Sequence, residues 1–585
     1  MKCIRQFNNT ILFNNDLEIE IIDNISSCLG IRLKSKNTVI LGFLNAGDLK
    51  TVREPKLIIK YIERYSASGQ LPGAANLEEN VYSQKNSIIE KHITRQISPL
   101  LKKNNFDVEI NILLESADYK FPSDALSMNC AMILCYISGL LEIPYYAGRF
   151  CVIDSHTKIE PEFKDIKNSK FTAIFGTTQN KIIFLEVNGI EFSEFEIENV
   201  LRKIEKDITA FFEILNDLKK NVSVKLGVER FTSNEKNDSI KNQIEKIVTE
   251  NRELLEGIYV YDTYKMRISE LTKLSSILLK NVELTVDLNN DVYTDVKKFY
   301  YDCFLKMIVK IVKEKLTQKK RLYNDYMNKL TGIDVEIIKN RNTAVCRINR
   351  EITDTVVSVT SLITEKRIFK ENDRTENIPN VKLEKFIKKT DDVDSKKENK
   401  FYNISNFFGN NINVMLGDRI LPDEFKPLRS LQIETVLNKV VNYKNLFSQE
   451  NVYRMVTEYI SSDGCEISSP VNAVNILKYY HPVNFFKDIF FGDIVCLEFA
   501  YLIEENYLIL EPVFLEETAA DLRICIAGDS NNIKFMNLVT NTSGIEISKL
   551  TKIIKECKTI LKNYLRTVVS NMNKNKNNLC YSIRF

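Results

Sequence analysis

Two hydrophobic periods divide the chain. Over residues 1–215, short apolar runs with strand alternation give way to runs with helical spacing. Thr38-Val39-Ile40-Leu41-Gly42-Phe43 and Val108-Glu109-Ile110-Asn111-Ile112-Leu113-Leu114 read as strands bounded by turn residues. Ser83 to Leu101 brings Ile88, Ile89, Ile93 and Ile97 to related faces, which predicts a helix. Ala125 to Leu141 is apolar nearly all round, so a second helix is expected to be buried. Phe171-Thr-Ala-Ile-Phe and Lys181-Ile-Ile-Phe-Leu-Glu-Val read as a hairpin. Ser193 then stands as the N-cap of a long helix, with Glu196 at the capping-box position. Residues 216–325 are helical and charged in pattern. From 326 strands return at Val335-Glu-Ile-Ile, Thr343-Ala-Val-Cys-Arg-Ile and Thr355-Val-Val-Ser-Val-Thr. Glu371 to Lys400 is polar and charged and reads as a mobile insertion in a second folded unit, 326–570. The tail, 571–585, is Asn/Lys-rich and expected to be disordered.

An internal repeat sharpens this division. Gly189-Ile190-Glu191-Phe192-Ser193 recurs as Gly544-Ile545-Glu546-Ile547-Ser548, each after a hairpin and each opening a helix. Ser123-Asp124-Ala125-Leu126-Ser127-Met128-Asn129 has a looser counterpart in Ser469-Pro470-Val471-Asn472-Ala473-Val474-Asn475. Two copies of one α/β domain with a helical segment between them account for this spacing.

Composition then excludes several classes. The chain has 585 residues, 44% of them hydrophobic and 27% charged, which excludes a disordered chain and a rod. The net charge of +3 means that any nucleic-acid surface must be a local patch. Only three histidines are present, His92, His156 and His481, and structural or solvent roles suit each. Twelve cysteines without a Cys-x-x-Cys pair read as reduced thiols in a cytoplasmic compartment, not as a zinc site. The N-terminus carries no apolar signal core. The most apolar stretch, Cys130 to Ile153, contains Glu142, Pro144 and Arg149, so a buried helix and strand are expected there and no membrane span. Lys306 to Arg321 is basic; a solvated helix face and an RNA-facing stripe both fit it.

Several motifs, taken in order, resemble those of polynucleotide phosphorylase. Tyr65-Ser-Ala-Ser-Gly-Gln-Leu-Pro-Gly73 resembles F-Y-A-A-G-K-I-P-G. Thr94-Arg-Gln-Ile-Ser-Pro-Leu100 resembles D-R-P-I-R-P-L. Pro122 to Ala131 resembles D-P-D-I-L-A-I-N-G-A, and Ile143-Pro144 the I-P-F that follows. The resemblance covers about residues 1–570. It implies an α/β fold of the α+β kind: two tandem RNase PH-like domains (ribosomal protein-like βαβ architecture) joined by an all-helical domain. It also implies 3′→5′ phosphorolysis of single-stranded RNA by inorganic phosphate, releasing nucleoside diphosphates with Mg2+, in a homotrimer or a ring with a related subunit. The family's C-terminal KH and OB-fold modules have no counterpart before Phe585 and are expected to be absent.

The polar motifs depart from the family where its chemistry lies. The phosphate cradle of three serines after S-N-G is matched by Ser462-Asp463-Gly464 and then Cys465-Glu466-Ile467, with Ser468 and Ser469 as substitute hydroxyls in a shifted loop. Glu466 puts a negative charge where an anion should bind. The metal motif D-H-L-G-D-M-D-F-K aligns Glu517 with its first aspartate, as catalytic residue and metal ligand, and Asp521 with its middle one. Arg523 and Cys525 replace the last aspartate and the lysine. A guanidinium has no lone pair for a cation. Among RNA and phosphate contacts, Arg95, Arg350, Arg419 and Arg429 remain as candidates. The F-F-R-R loop is replaced by Ala74-Ala75-Asn76-Leu77-Glu78-Glu79, which removes stacking and phosphate contacts. These departures imply an RNA-turnover protein whose phosphorolysis is weak or lost. The alternative is an inactive RNA-binding or scaffold subunit of such a ring.

Overall fold

The computed structural model describes residues 6–63 with short gaps, 84–222 apart from 103–105 and 119, 235–257, 290–318, 464–480 and 493–574. It also describes isolated positions between 269 and 277, the strands within 333–365, 404–408, 451–461 and 580–584, and Gln432 with Thr435 and Val436. Strand alternation builds the first layer. Along Phe106–Ser116 the side chains of Phe106, Val108, Ile110, Ile112 and Leu114 are buried and those between them are not. This strand is β7. It joins β1 (Gln6–Phe7), β2 (Thr10–Phe13), β3 (Leu17–Ile22), β4 (Cys28–Ser35), β5 (Thr38–Asp48) and β6 (Leu57–Glu63) in a sheet ordered β1-β2-β3-β4-β5-β7-β6. All pairings are antiparallel except β6 with β7, which are connected through helix α1 (Gln84–Ile97) and form a βαβ crossover.

Helix α2 (Asp124–Ile137) buries nearly its whole circumference, from Ala125 and Ser127 to Ile137. It can do so because it lies between β5 of the first sheet and β8 (Tyr146–Ile153) of a second. The chain continues through β9 (His156–Ile159), α3 (Phe163–Asn168), β10 (Phe171–Thr177) and β11 (Lys181–Phe192). At the end of β11, Ser193 caps α4 (Glu194–Asp207): its hydroxyl accepts from the Glu196 N–H, and the Glu196 carboxylate accepts from the Ser193 N–H, as the sequence predicts. Next come α5 (Thr209–Val222), α6 (Glu235–Glu250), α7 (Arg252–Gly257) and α8 (Asn290–Thr317). The boundary expected at 215 falls inside α5, because Phe211, Phe212, Leu215 and Leu218 belong to the apolar core of the first unit.

A third sheet takes β12 (Ile333–Lys339), β13 (Thr343–Arg350), β14 (Thr355–Glu365), β15 (Ile404–Phe408) and β16 (Asn451–Ser461). After it come α9 (Ser468–Tyr480), β17 (Val495–Leu502), β18 (Tyr507–Leu510), α10 (Phe514–Ala519), β19 (Leu522–Gly528), β20 (Ile533–Thr540), β21 (Ile545–Glu546), α11 (Ile547–Lys574) and β22 (Cys580–Arg584). The third sheet runs β15-β16-β14-β13-β12-β22, with β15 and β16 parallel, and so repeats the order β6-β7-β5-β4-β3-β2. The middle sheet is also two-fold in plan: β18-β17-β19-β20 joins β11-β10-β8-β9 through antiparallel pairing of β11 with β20. The tail expected to be disordered instead extends α11 to Lys574 and ends in β22 on the edge strand β12. The insertion expected at 371–400 lies outside the described residues.

Hydrogen bonds fix the register of the repeat. The Asn129 amide donates to the Ala147 carbonyl and accepts from its N–H, both at 2.8 Å. The Asn472 amide makes the same pair of bonds with Cys496, at 2.8 and 2.9 Å. Asn472, and not Asn475, is therefore the counterpart of Asn129, and the match read from the sequence is displaced by three residues. The Gly-Ile-Glu repeat also differs in conformation between its copies. Gly189 lies within β11, where an added Cβ would overlap Phe171, whereas Gly544 has φ +106° in the turn before β21. Ser548 accordingly sits inside α11 and not at its cap.

Candidate functional site

The site lies on the middle sheet where the two halves meet. A small cleft there is lined by Arg95 of α1, by Gln432, by Glu466 and Ile467 before α9, by Glu498 of β17, by Glu517 of α10, and by Arg523, Cys525 and Asn537 of β19 and β20. Its volume of about 40 Å3 holds a few waters and no nucleotide. Two guanidiniums face three carboxylates, so the lining carries one net negative charge.

Strand alternation puts Arg523 and Cys525 on one face of β19, toward the cleft, and α10 delivers Glu517 to the same place. The Arg523 Nη1 donates to Glu517 Oε1 at 3.1 Å, with both side chains largely buried. Glu517, proposed from sequence as a metal ligand, thus spends one of its oxygens on a guanidinium. Among the described residues no cluster of three or more His, Cys, Asp or Glu side chains has the geometry to hold a metal ion. The residues present do not fit the Mg2+ that the resemblance implies.

Asp521 is not in the cleft, which corrects its assignment as a catalytic residue. Its carboxylate is 8% exposed and accepts from Lys313 Nζ at 2.7 Å and from the Ile503 N–H at 2.9 Å. It fastens α8 to the second half. Lys310 pairs likewise with Glu245 of α6, at 3.1 Å. At Lys310 and Lys313 the basic stripe is therefore spent on helix contacts.

Ser468 and Ser469 are also corrected. Both are fully buried in the first turn of α9, and both hydroxyls donate to the Cys465 carbonyl. They close the helix start and do not line the cleft. Arg95 does line it, reaching from the first half into the second. Arg419 and Arg429 lie outside the described residues. Of Arg350 only the backbone is described, at the end of β13 opposite Thr355.

Sequence reasoning missed Glu498. Gly464, at φ +116°, and Cys465, at φ +57°, turn the chain so that two N–H groups at the start of α9 face β17. Glu498 Oε1 accepts both, from Ile467 at 2.9 Å and Ser468 at 2.8 Å. A signal was available: Glu498 is the only charged residue in the apolar strand Val-Cys-Leu-Glu-Phe-Ala-Tyr-Leu. Gln432 was missed too; its amide donates to Glu186 Oε2 at 2.9 Å across the junction.

The equivalent place in the first half is charged differently. Glu160 and Glu511 both have φ +50°, and their N–H groups donate to the carbonyls of Arg149 and Glu498 respectively, so Arg149 and Glu498 correspond. Arg149 pairs with Asp124, whose own carboxylate accepts from the Ala125 N–H at the start of α2. Burial works against the Asp124 anion, but Arg149 outweighs it and holds that carboxyl below its usual range. His92 nearby is buried edge-on against Phe184 and is pushed below its usual pKa by burial.

No family model matches this chain. Sequence comparison finds polyribonucleotide nucleotidyltransferases. That of Campylobacter jejuni subsp. doylei is 23% identical over 397 residues, 60% of this chain and 52% of the relative. That of Campylobacter lari is 21% identical over 56% of this chain and 47% of its own. That of Persephonella marina is 27% identical over 33% and 28%. The chain is distantly similar to polyribonucleotide nucleotidyltransferases. It spans about half the length of the curated relatives it matches. Among solved structures, rice (Oryza sativa) Rrp46 aligns at 10% identity and a TM-score of 0.28, over 38% of this chain and 98% of Rrp46. No helix among the described residues is long and apolar enough to cross a membrane.

Proposed function

We propose that this chain is a polynucleotide phosphorylase-like protein of RNA turnover, built as two RNase PH-like units joined by helices, in which phosphorolysis is lost. The observation that carries the reading is the Arg523–Glu517 ion pair in a cleft that also holds Glu466 and Glu498. Phosphoryl transfer needs cations set against developing negative charge. Here one of the two guanidiniums is neutralised by Glu517, and the remaining carboxylates repel an incoming phosphate. Arg95 of the first half lines the same cleft, and retention of RNA without its cleavage rests on the family resemblance. On the family resemblance the assembly is a homotrimer or a ring with a related subunit in the cytoplasm, with single-stranded RNA as the bound polymer.

The test is phosphate-dependent release of nucleoside diphosphates from 3′-labelled poly(A) in the presence of Mg2+, with filter binding of the same RNA beside it. No release with retained RNA is expected, and the double variant Arg523→Asp, Cys525→Lys serves as the attempted restoration. Release by the unmodified protein that disappears in Glu517→Ala would overturn the reading.

A further inference from the structure

Helix α11 is apolar on one side only. Leu550, Ile553, Ile554, Cys557, Leu561 and Tyr564 are buried in the common core. The other side is basic. Along its 28 residues α11 carries seven Lys or Arg and a single carboxylate, Glu556. Two of the cations are spent on contacts: Lys549 donates to the Ile503 carbonyl, and Lys558 pairs with Glu194 of α4 at 3.2 Å. Lys552, Lys555, Lys562 and Arg566 form no ion pair among the described residues. Lys555 acts on Glu194 only through space. Lys552, Lys555 and Arg566 are exposed and Lys562 is half-buried. At about 100° per residue these four fall within about 80° of arc and along about 21 Å of helix. Thr559 shares the arc, and its hydroxyl donates to the Lys555 carbonyl.

The fold does not require this charge. Helix α4 follows the other copy of the Gly-Ile-Glu repeat and packs against α11. It buries a similar apolar face, with Ile197, Val200, Leu201 and Ile204. Yet it carries three cations and five carboxylates, and its Arg202 pairs with Glu198 at 2.7 Å. Composition does not explain the stripe either, since the whole chain has 81 Lys and Arg against 78 Asp and Glu. Lys552 and Lys555 stand three apart and Lys562 and Arg566 four apart, spacings at which like charges weaken a helix. An anion lying along the stripe removes that repulsion.

The chemistry of the stripe narrows its ligand. A protein partner needs an apolar or aromatic centre to anchor on, a membrane needs side chains to bury, and the arc has neither. A phosphodiester backbone needs only spaced cations, because it is held by charge and by release of its counterions. We propose that the outer face of α11 is a binding site for the phosphate backbone of single-stranded RNA, separate from the cleft and indifferent to base sequence. The choice of RNA among phosphodiester polymers rests on the reading of this chain as a protein of RNA turnover. The cleft lining is net negative, so α11 supplies a hold on phosphates that the cleft does not.

The experiment is filter binding of a labelled oligouridylate in EDTA at several KCl concentrations. It compares the unmodified protein with the fourfold variant Lys552→Gln, Lys555→Gln, Lys562→Gln, Arg566→Gln and with the threefold variant Lys552→Arg, Lys555→Arg, Lys562→Arg. Loss of four phosphate contacts is expected to reduce the slope of log affinity against log salt by about 2–3, and the affinity itself at least about tenfold. The arginine variant is expected to bind as the unmodified protein does. A glutamine variant that is folded by far-ultraviolet dichroism and binds with unchanged affinity and slope overturns the inference. So does displacement of the RNA by polyglutamate at equal charge concentration, which would assign the stripe to acidic polypeptides. If the glutamine variant does not fold, acetylation of the unmodified protein decides: RNA is expected to shield Lys552, Lys555 and Lys562, and equal labelling with and without RNA overturns the inference. Release of nucleoside diphosphates in Mg2+ by the unmodified protein would instead overturn the reading that phosphorolysis is lost, and would leave the stripe in place.

Discussion

Glu160 shows how one side chain sets a pH dependence. It sits half-buried with Tyr146 Oη donating to it at 3.3 Å, and burial, reinforced by Asp124, pushes its carboxyl up to about 7. The folded state therefore holds a proton that the unfolded state has released, between about pH 4.5 and 7. Stability from this group is present at the acid end of that window and is lost as pH rises through 7, by up to about 3 kcal/mol. Asp124 has the opposite sign: its depressed carboxyl contributes above the ordinary carboxylate range and loses that contribution as pH falls. Glu160→Gln should flatten the decline between pH 5 and 8 and leave the acid limb in place. Urea unfolding midpoints at several pH values measure this; an unchanged decline would show that Glu160 does not cause it.

At the scale of elements, the contact that matters most is α8 against the second half. Phe304, Ile308, Val312 and Leu316 share a core with Leu502, Ile509, Val513 and Ala519. Lys313 crosses this contact to the buried Asp521. Lys313→Met leaves that carboxylate with only its backbone donor. Lys313 is 46% exposed, so water already screens the pair, and the cost is expected to be about 1–2 kcal/mol. Hydrogen exchange should quicken along the second half of α8 while α1 and α2 keep their protection. Equal protection in both proteins would mean that apolar packing alone holds α8.

For the whole molecule, the decisive feature is the β11–β20 pairing. It makes one nine-stranded sheet of strands drawn from both halves, with Leu185 and Leu538 opposite each other and fully buried. One apolar core runs through both halves as a result. The two halves are expected to unfold in one transition, with tyrosine fluorescence and far-ultraviolet dichroism coinciding. Leu538→Ala should cost about 2–5 kcal/mol and separate the two signals. Two separate transitions in the unmodified protein would show that the junction does not couple the halves. The same junction brings Arg95 of the first half and Gln432 to a cleft otherwise built from the second.

Local pattern was enough for what local physics decides. The alternation at 106–116, the buried helix from Ala125, the hairpin at 171–187 and the Ser193–Glu196 capping box follow from periods of two and 3.6 and from one short hydrogen-bonded motif. The repeat was legible too, though displaced by three residues at Asn472, because its register is fixed by hydrogen bonds to Cys496 that no local pattern shows. The site was legible only in part. Glu517, Arg523 and Cys525 could be placed because they follow one another on α10 and β19. Asp521, two residues before Arg523, lies just ahead of β19, outside the strand whose alternation sets a face, and only packing decides that its carboxylate meets Lys313 and the Ile503 N–H. The pairing of Glu498 with the start of α9 spans 30 residues in the chain, and that of Gln432 with Glu186 spans 246. A lone charge in an apolar strand marks Glu498 as needing a partner, but neither segment alone says which partners meet. The tertiary structure decides them because burial forces each charge or amide to find its partner wherever the fold brings one.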